Sequence, residues 1–264
     1  MRIGIQGSGQ LPTELPDPAR YRAVAELAEE LGYDSIWAGE HLSFHNPILD
    51  LGVALATFAA VTRRIMLGAG VVLLPLRHPS LVAKQAGSLD YVSGGRLLLG
   101  LGAGGNRRTP YAAEQQAIGQ SVERDEVRAR RVVEAIELMR RLWSGHAGFL
   151  RPEPPPPIIV GGFGPRMAAI GGRHGDGFNT QAMHPRLADL AKVARDEHKA
   201  AGRDASPFLL TVFAGLDERW LAPDSRPRQS LERVGVERLI LLTEPPFDPE
   251  EIRASGRLLA PRPT

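Results

Sequence analysis

The chain has 264 residues, of which 43% are hydrophobic, and its 32 basic and 30 acidic side chains leave a formal net charge of +2. A chain of this length can bury a large core and seldom divides into more than two domains. No run of five or six basic residues occurs, which argues against DNA or RNA binding. The absence of cysteine excludes disulfides and zinc sites with cysteine ligands, and we predict no metal site.

The first residues already read as a strand, Arg2-Ile3-Gly4-Ile5, which leaves no room for a signal peptide ahead of it. No apolar run approaches the roughly 20 residues that a membrane-spanning helix needs. We therefore expect a soluble, cytoplasmic protein without a membrane partner.

Short β-branched segments alternate with longer segments that have helical spacing, which is typical of repeated βα units around a parallel sheet. In the first unit the helix follows Asp17-Pro18, and its apolar face contains Tyr21, Val24, Leu27, Ala28 and Leu31. The predicted strands cover residues 2–5, 35–39, 65–73, 96–101, 158–161, 177–180, 209–213 and 239–242. The second predicted helix begins at 46–47. The later ones cover residues 78–91, 121–143, 164–174, 185–201, 228–234 and 249–259.

Eight βα units are the number that closes a barrel, so we predict an α/β fold of the (β/α)8 TIM-barrel type. A doubly wound open sheet is the alternative, because the same alternation can also fan out. In a barrel, function lies on the loops that follow the carboxyl ends of the strands. The residues directly after each strand are therefore the candidates for chemistry.

Glu40-His41 directly follows the predicted strand 35–39. Histidine titrates near neutral pH and suits proton transfer, while a carboxylate can hold the polar edge of a ring or tune that histidine. Taken alone, the dipeptide is better explained as a capping glutamate and a structural histidine. Its position at the catalytic face of the predicted barrel makes both residues catalytic candidates.

Two glycine-containing strand ends are also candidates. Gly68 and Gly70 precede Val71 and Val72, and glycine inside a strand indicates a bulge or the close approach of a ligand. The run from Gly100 to Gly105 satisfies the GxGxxG pattern of dinucleotide-binding folds. It leads into a loop rather than a helix, and the next predicted strand lies more than fifty residues on without a terminal acid. We therefore do not assign a dinucleotide site to it.

The strand 158–161 passes through Gly161-Gly162-Phe163-Gly164 straight into a helix. Exposed amides at a helix N-terminus form a site suited to a phosphate, and we favour that function over simple tight packing of the glycines. Arg166, on the first turn, either contacts the phosphate or is solvated.

In this order the features resemble the luciferase-like monooxygenase superfamily, which includes FMN enzymes and coenzyme F420-dependent oxidoreductases. The resemblance covers residues 1 to about 180, and beyond that only the strand–helix rhythm matches. The segments that carry it are 32–41, Leu76-Arg77-His78-Pro79, Ala83-Lys84-Gln85, 89–104, 157–162 and 175–179.

The resemblance implies a single barrel domain over 1–264 that binds a flavin or deazaflavin. It implies that Glu40 contacts the ring, that His41 is a neighbouring active-site histidine, and that a non-prolyl cis peptide joins Gly70 and Val71 behind the ring. The other residues that it implies contact the cofactor are Gly104, Gly105, Gly161, Gly162, Phe163 and Gln181.

Residue 105 departs from the family, because some deazaflavin-dependent relatives have a catalytic glutamate where this chain has Gly105. The proton donor is then missing, or it is relocated to His41 or to a loop residue such as Glu114. The segments 148–152 and 213–239 are short for the group, which predicts a compact barrel with shortened insertions and an open substrate site.

Three functions remain open. The first is a coenzyme F420-dependent oxidoreductase that transfers hydride between the deazaflavin and a small organic substrate. The second is an FMN-dependent monooxygenase, and the third is a barrel that binds flavin without catalysis. A homodimer is expected from the resemblance.

Overall fold

The computed structural model describes residues 1–8, 18–42, 48–243 and 249–259. Its eight strands are parallel and form a closed barrel in sequence order, and β8 pairs with β1. The strands are β1 Arg2–Ser8, β2 Ser35–Ala38, β3 Met66–Leu73, β4 Leu97–Gly102, β5 Ile158–Gly161, β6 Gly177–Gln181, β7 Leu209–Gly215 and β8 Arg238–Leu242. The predicted TIM barrel is confirmed, and the alternative of an open sheet is wrong.

The helices of the described chain pack around the barrel. They are α1 Pro18–Glu30, α2 Leu51–Val61, α3 Pro79–Ser93, α4 Ala112–Ala117, α5 Asp125–Trp143, α6 Pro165–Arg173, α7 Leu187–Ala200, α8 Arg226–Val234 and α9 Pro249–Gly256. Short 3₁₀ turns occupy Leu74–Leu76, His146–Gly148 and Glu218–Trp220. Within the described residues, no helix has the length and apolar content needed to cross a bilayer.

Three helix predictions need correction. The helix predicted from 46–47 begins at Leu51, because the side chain of Asp50 accepts the Val53 amide and caps it there; residues 43–47 lie outside the described residues. The helix predicted from Ser121 begins at Asp125, where Asp125 and Glu126 provide the acidic first turn that a helix N-terminus favours. The predicted loop before it contains α4, whose Ala, Glu and Gln residues are strong helix formers.

Trp37 fills the interior of the barrel. It is buried with Leu98, Ile159 and Ile240, and its indole Nε1 donates to Ser35 Oγ at 2.9 Å. A Cβ atom at Gly68 would lie 2.0 Å from the Trp37 ring, so the neighbouring strand must have glycine there. Side chains thus fill the interior of the barrel, and the loops at the carboxyl ends of the strands are the remaining place for a functional site.

Candidate active site

Four consecutive strands each contribute a glycine: Gly39 follows β2, Gly70 lies within the carboxyl half of β3, and Gly102 and Gly161 end β4 and β5. We call these four residues the glycine floor. Gly70 stands directly above Trp37, since a Cβ atom there would be 3.0 Å from ring atom Cε3. A Cβ atom at Gly39 would contact the amide of the Gln6 side chain at 3.4 Å. Gly70 therefore rests on the tryptophan, and Gly39 faces the side chain of Gln6.

Val71 covers part of this floor. The peptide bond between Gly70 and Val71 is cis, and the pairing of β3 with β4 shifts register between Ala69 and Val72. Cβ atoms at Gly102 and Gly161 would lie 2.6 and 2.9 Å from the methyl groups of Val71. These two glycines thus leave the space that the Val71 side chain occupies, and the bulge and cis bond expected at this position are both present.

Glu40 is buried directly after β2, but both of its carboxylate oxygens bind protein groups. Oε2 accepts the Leu73 amide at 2.5 Å, and Oε1 accepts a hydrogen bond from Arg77, which also binds Asp50. Burial raises the pKa of the Glu40 carboxyl, and the Leu73 amide and Arg77 oppose this effect. Glu40 therefore fastens the end of β2 to the turn after β3, immediately beside the Val71 bulge.

His41 is held by a glutamate that is distant in sequence. Its Nδ1 lies 2.7 Å from Glu114 Oε1, and Glu114 Oε2 accepts the Leu42 amide at 2.6 Å. Glu114 is 3% exposed, and the ring of Tyr111 stacks on His41 with centroids 5.6 Å apart. The two residues predicted as alternative proton donors, His41 and Glu114, are thus a hydrogen-bonded pair contributed by the end of β2 and by α4.

Gly104 and Gly105 have structural reasons to be glycine. Gly104 has a positive φ of 72°, and its carbonyl accepts a hydrogen bond of 2.6 Å from Arg128. A Cβ atom at Gly105 would lie 2.5 Å from Tyr111 Cβ and 2.8 Å from Thr109 Oγ1. The loop that brings Tyr111 and Glu114 to His41 therefore occupies the space that a side chain at residue 105 would need.

The glycine turn after β5 divides into two parts. The Gly162 amide donates to the Asn179 carbonyl at 3.0 Å, and a Cβ atom there would lie 2.4 Å from Met167 Cβ. Close strand-to-helix packing therefore explains Gly162. Gly164 differs, because it is the N-cap of α6, no side chain caps that helix, and a Cβ atom there would meet nothing within 4 Å. The amides left open at this turn are therefore those of the first turn of α6, beside Gly164.

The remaining predicted residues border this turn. The ring of Phe163 packs edge-on against Phe213 at 6.3 Å, and its carbonyl lies 3.2 Å from His184 Nε2. Gln181 is exposed at the end of β6, in register with Phe213 of β7. Arg166 binds Glu126 at 3.1 Å, so it faces the start of α5.

Together these residues fit a planar ring that carries a phosphate. The glycine floor with Val71 offers an uncluttered surface for the ring, and the first turn of α6 offers backbone donors for an anion. His41, held by Glu114, supplies a group that can take or give a proton beside the floor.

Sequence reasoning missed Arg77, Leu73 and Tyr111 as site residues. Arg77 was part of a segment that carries the family resemblance, which is the one signal that pointed to it. The Leu73 contact uses a backbone amide, and Tyr111 depends on the path of the loop before α4, so the sequence contained no signal for either.

Two proteins with assigned activities are similar to this chain over part of their length. The F420-dependent hydroxymycolic acid dehydrogenase of Mycobacterium tuberculosis is 33% identical over 228 residues, which cover 73% of this chain and 62% of that protein. The 4-hydroxyprotoasukamycin monooxygenase of Streptomyces nodosus subsp. asukaensis is 38% identical over 123 residues, 46% of this chain and 31% of that protein. This chain thus matches less than two thirds of the length of either relative.

Solved structures share the fold. An F420-dependent secondary alcohol dehydrogenase, in complex with an F420–acetone adduct, superposes with a TM-score of 0.79 over 98% of both chains at 17% identity. The family model described as luciferase-like monooxygenase matches residues 1–216. The chain therefore belongs to the luciferase-like monooxygenase family.

Proposed function

We propose that the chain is a coenzyme F420-dependent oxidoreductase that transfers hydride between the deazaflavin and a small organic substrate. The observation that carries the proposal is the pairing of the glycine floor and Val71 with a helix N-terminus at Gly164 that no side chain caps. The dehydrogenase from Mycobacterium tuberculosis, named as F420-dependent, supports the choice of deazaflavin.

The proposed binding mode assigns a separate task to each part of the site. Val71 and the glycine floor would hold the ring, and the side-chain amides of Gln6 and Gln181 would be available to its polar edge. The amides of the first turn of α6 would hold the cofactor phosphate, because the helix dipole there favours an anion. Gly104, Gly105, Gly161 and Gly162 shape the surrounding backbone rather than contact the phosphate, as their close protein neighbours indicate.

When bound, the deazaflavin would supply or accept a hydride, that is, one proton together with two electrons. His41 exchanges the matching proton with the substrate oxygen, and Glu114 stabilises the protonated imidazole through Nδ1. Glu40 acts indirectly in this proposal, because its carboxylate holds Arg77 and the Leu73 amide next to the ring site.

The phosphate assignment is tested by Gly164→Asp, measured as the dissociation constant of F420 by fluorescence titration. A carboxylate at this position repels the phosphate, so we expect at least a tenfold weaker affinity, about 1.4 kcal/mol. Aspartate is a favoured N-cap and the position is open, so helix α6 remains stable. Gly164→Asn, of equal size but neutral, is the control and should change affinity by less than about threefold. If both variants bind F420 as tightly as the wild-type protein does, the phosphate does not bind at α6.

The second candidate is an FMN-dependent monooxygenase, which the 38% identity to a monooxygenase over 123 residues favours. A flavin, unlike a deazaflavin, reacts with oxygen when reduced, so the two candidates differ in one measurement. Titration with FMN and with F420, followed by oxygen uptake with the reduced cofactors, separates them. Tight FMN binding with oxygen consumption and no F420 binding would overturn the first proposal.

The third candidate, a barrel that binds flavin without catalysis, is supported by the missing acid at residue 105 and by the short loops. The His41–Glu114 pair weighs against it, because it supplies a buried carboxylate and an imidazole at hydrogen-bond distance. Substrate-dependent oxidation of reduced F420 by the wild-type protein decides this point.

We also propose a homodimer, formed through α2 and α3. Helix α2 has no charged residue, and Val53 on α2 and Leu81 on α3 are exposed apolar side chains on these two adjacent helices. A helix that is apolar on all faces is normally covered. Sedimentation velocity should give a dimer for the wild-type protein and a monomer for Leu81→Arg. A dimer in Leu81→Arg would contradict an interface at α3.

A further inference from the structure

A polar pair of side chains lies inside the barrel, on β6 and β7. Thr211 alternates along β7 with Leu209 and Phe213, which pack against the interior cluster around Trp37, so its side chain also faces the interior. Asn179 is the partner of Thr211 in the pairing of β6 with β7, and its Nδ2 donates to Thr211 Oγ1 at 2.8 Å. Asn179 therefore faces the interior as well.

This pair adjoins the glycine floor. Asn179 is the partner of Gly161 in the pairing of β5 with β6, and Gly161 has no side chain that would cover it. The Asn179 carbonyl also accepts the Gly162 amide at 3.0 Å, which holds the backbone at this point. Asn179 is 8% exposed, whereas Thr211 is fully buried. Asn179 is therefore the member of the pair that stays accessible, next to Gly161 of the floor.

Thr211 sets the direction of the Asn179 side-chain amide. Because Nδ2 donates to the threonine hydroxyl, the amide oxygen Oδ1 points to the other side. Among the described residues no donor binds Oδ1, and this oxygen is not sealed from solvent. An amide oxygen can only accept a hydrogen bond, and an acceptor without a partner in such a sheltered place gains from a ligand that donates to it. The pair thus presents an oriented acceptor to a ligand on the glycine floor.

We propose that Asn179 binds the ring of the cofactor, with Oδ1 as the acceptor for the imide N–H at the pyrimidine edge. The inference rests on the proposed function. That edge is the same in an oxidised flavin and an oxidised deazaflavin: a carbonyl oxygen lies on each side of the N–H, which is the donor. An oxygen that only accepts is complementary to the N–H and repels either carbonyl. The contact would therefore fix which edge of the ring enters the barrel, and the amides of Gln6 and Gln181 stay available for the flanking carbonyls.

The test compares 7,8-didemethyl-8-hydroxy-5-deazariboflavin, the phosphate-free part of F420 that contains the ring, with its 3-methyl derivative, in which a methyl group replaces the imide hydrogen. Neither compound carries a phosphate, so the comparison does not depend on the assignment of α6. Fluorescence titration gives both dissociation constants. We expect the wild-type protein to bind the methylated ring about tenfold more weakly, because the methyl group removes the donor and meets Oδ1 instead. FMN and 3-methyl-FMN repeat the comparison for the second candidate function. Equal affinity for both members of each pair overturns the inference.

Substitution of Asn179 assigns the effect of the methyl group to one side chain. Asn179→Leu keeps a side chain of similar size but has no acceptor. We expect the unmodified ring to bind about fivefold more weakly to this variant, and the methylated ring to bind nearly as well as the unmodified one. A purely structural role of Asn179 would weaken the binding of both rings alike and leave their ratio as it is in the wild-type protein, and that result would contradict the assignment.

Thr211 and Thr180 supply the matching variants. Asn179→Leu leaves the buried Thr211 Oγ1 without its donor, so the double variant Asn179→Leu/Thr211→Val, which makes both partners apolar, serves if the single variant does not fold. We expect it to lose the discrimination in the same way. Thr180→Val is the control: Thr180 is fully buried on the opposite face of β6, and its Oγ1 has no partner among the described residues. It should keep the wild-type ratio, and loss of discrimination in Thr180→Val would contradict the role of Asn179.

The two levels of the proposal fail in different ways. If the wild-type protein binds neither F420 nor FMN, the proposed function falls and the role of Asn179 falls with it. If a cofactor binds and the effect of the methyl group is the same in the wild-type protein and in Asn179→Leu, only the role of Asn179 is wrong.

Discussion

The two ends of the barrel both contain carboxylates in contact with backbone amides, but the groups have different second partners. At the amino end, Glu29 accepts the amides of residues 63, 64 and 65, and Asp176 accepts the Ile158 amide at 2.8 Å and binds Arg140 and Arg203, away from the floor. At the carboxyl end, Glu40 and Glu114 accept one amide each and also hold Arg77 and His41.

This difference separates stability from chemistry. A carboxylate at the amino end completes the hydrogen bonding of a strand's first residues, so its contribution is to the folded state. A carboxylate at the carboxyl end joins the backbone to an ionisable side chain beside the floor. The same residue type thus closes the barrel at one end and orients a reactive group at the other.

The largest effect we expect at the amino end comes from Arg238→Ala. Arg238 is 2% exposed at the start of β8, and its guanidinium binds Asp34 with Nε at 2.7 Å. Removing Arg238 breaks a buried pair and leaves Asp34 with the exposed Arg2 alone as an ionic partner, which costs about 3–5 kcal/mol of the free energy of unfolding. Urea unfolding followed by circular dichroism measures the loss.

Arg2→Ala is the matched control, because Arg2 also approaches Asp34, at 3.8 Å, but its side chain is largely exposed. An exposed ion pair contributes at most about 1 kcal/mol, so Arg2→Ala should unfold almost as the wild type does. Similar losses in both variants would show that charge near Asp34, and not burial of Arg238, stabilises this end.

At the carboxyl end, Glu114→Gln should lower turnover without a comparable loss of stability. Glutamine keeps the size of the side chain but cannot stabilise a protonated His41, so we expect kcat to fall about a hundredfold, or about 2.7 kcal/mol. F420 affinity should change by less than about threefold, and the pH profile of kcat should shift. Steady-state kinetics across pH with reduced F420, together with an F420 titration, give these values.

Two further variants sharpen this result. Gln116→Ala, an exposed position on the same helix, should leave kcat and its pH profile unchanged. Adding Gly105→Glu to Glu114→Gln returns an acid to the position used by some relatives, but Tyr111 and Thr109 crowd that site, so we expect no rescue. Rescue by the double variant, or an unaltered pH profile in Glu114→Gln, would contradict the role of Glu114.

Much of the fold could be predicted from the sequence because periodicity is a local signal. The eight strands follow the apolar pattern, and strand 158–161 has the predicted bounds. The predicted helix starts were less accurate. Capping by Asp50 and the acidic first turn at Asp125 determine where α2 and α5 begin, but Pro47 and Ser121 are equally plausible start signals in the sequence.

The site could be predicted only in part. Positions near strand ends followed from the topology, so Glu40, His41, Val71 and the turn after β5 lie where the sequence placed them, and their roles toward a cofactor stay predictions. The orientation of side chains was not available, and for that reason the Gly162 assignment missed its packing against Met167 and the pairing of Glu40 with Arg77 was not foreseen. The His41–Glu114 pair spans 73 positions in the chain, which no local pattern encodes.

The smallest effect we predict returns to the amino end, at Glu29. Three backbone amides donate to its carboxylate, and their hydrogen bonds outweigh burial, which alone would raise its pKa, so the pKa of Glu29 lies below its ordinary value. A neutral amide accepts fewer of these bonds, and Glu29→Gln should lower the free energy of unfolding by about 1–3 kcal/mol at pH 7.

The pH dependence distinguishes this carboxylate from an ordinary hydrogen-bonding side chain. Because the pKa of Glu29 is lowered by folding, its stabilisation is complete above the unfolded value of about 4.3 and is lost as the pH falls through the lower folded value. The difference between wild type and Glu29→Gln should therefore be constant from pH 7 to about pH 5.5 and shrink below about pH 4.3. Glu26→Gln, at an exposed position of the same helix, should show no such difference. A gap between wild type and Glu29→Gln that persists undiminished at low pH would mean that side-chain shape, not the ionised carboxylate, holds the amides of residues 63–65.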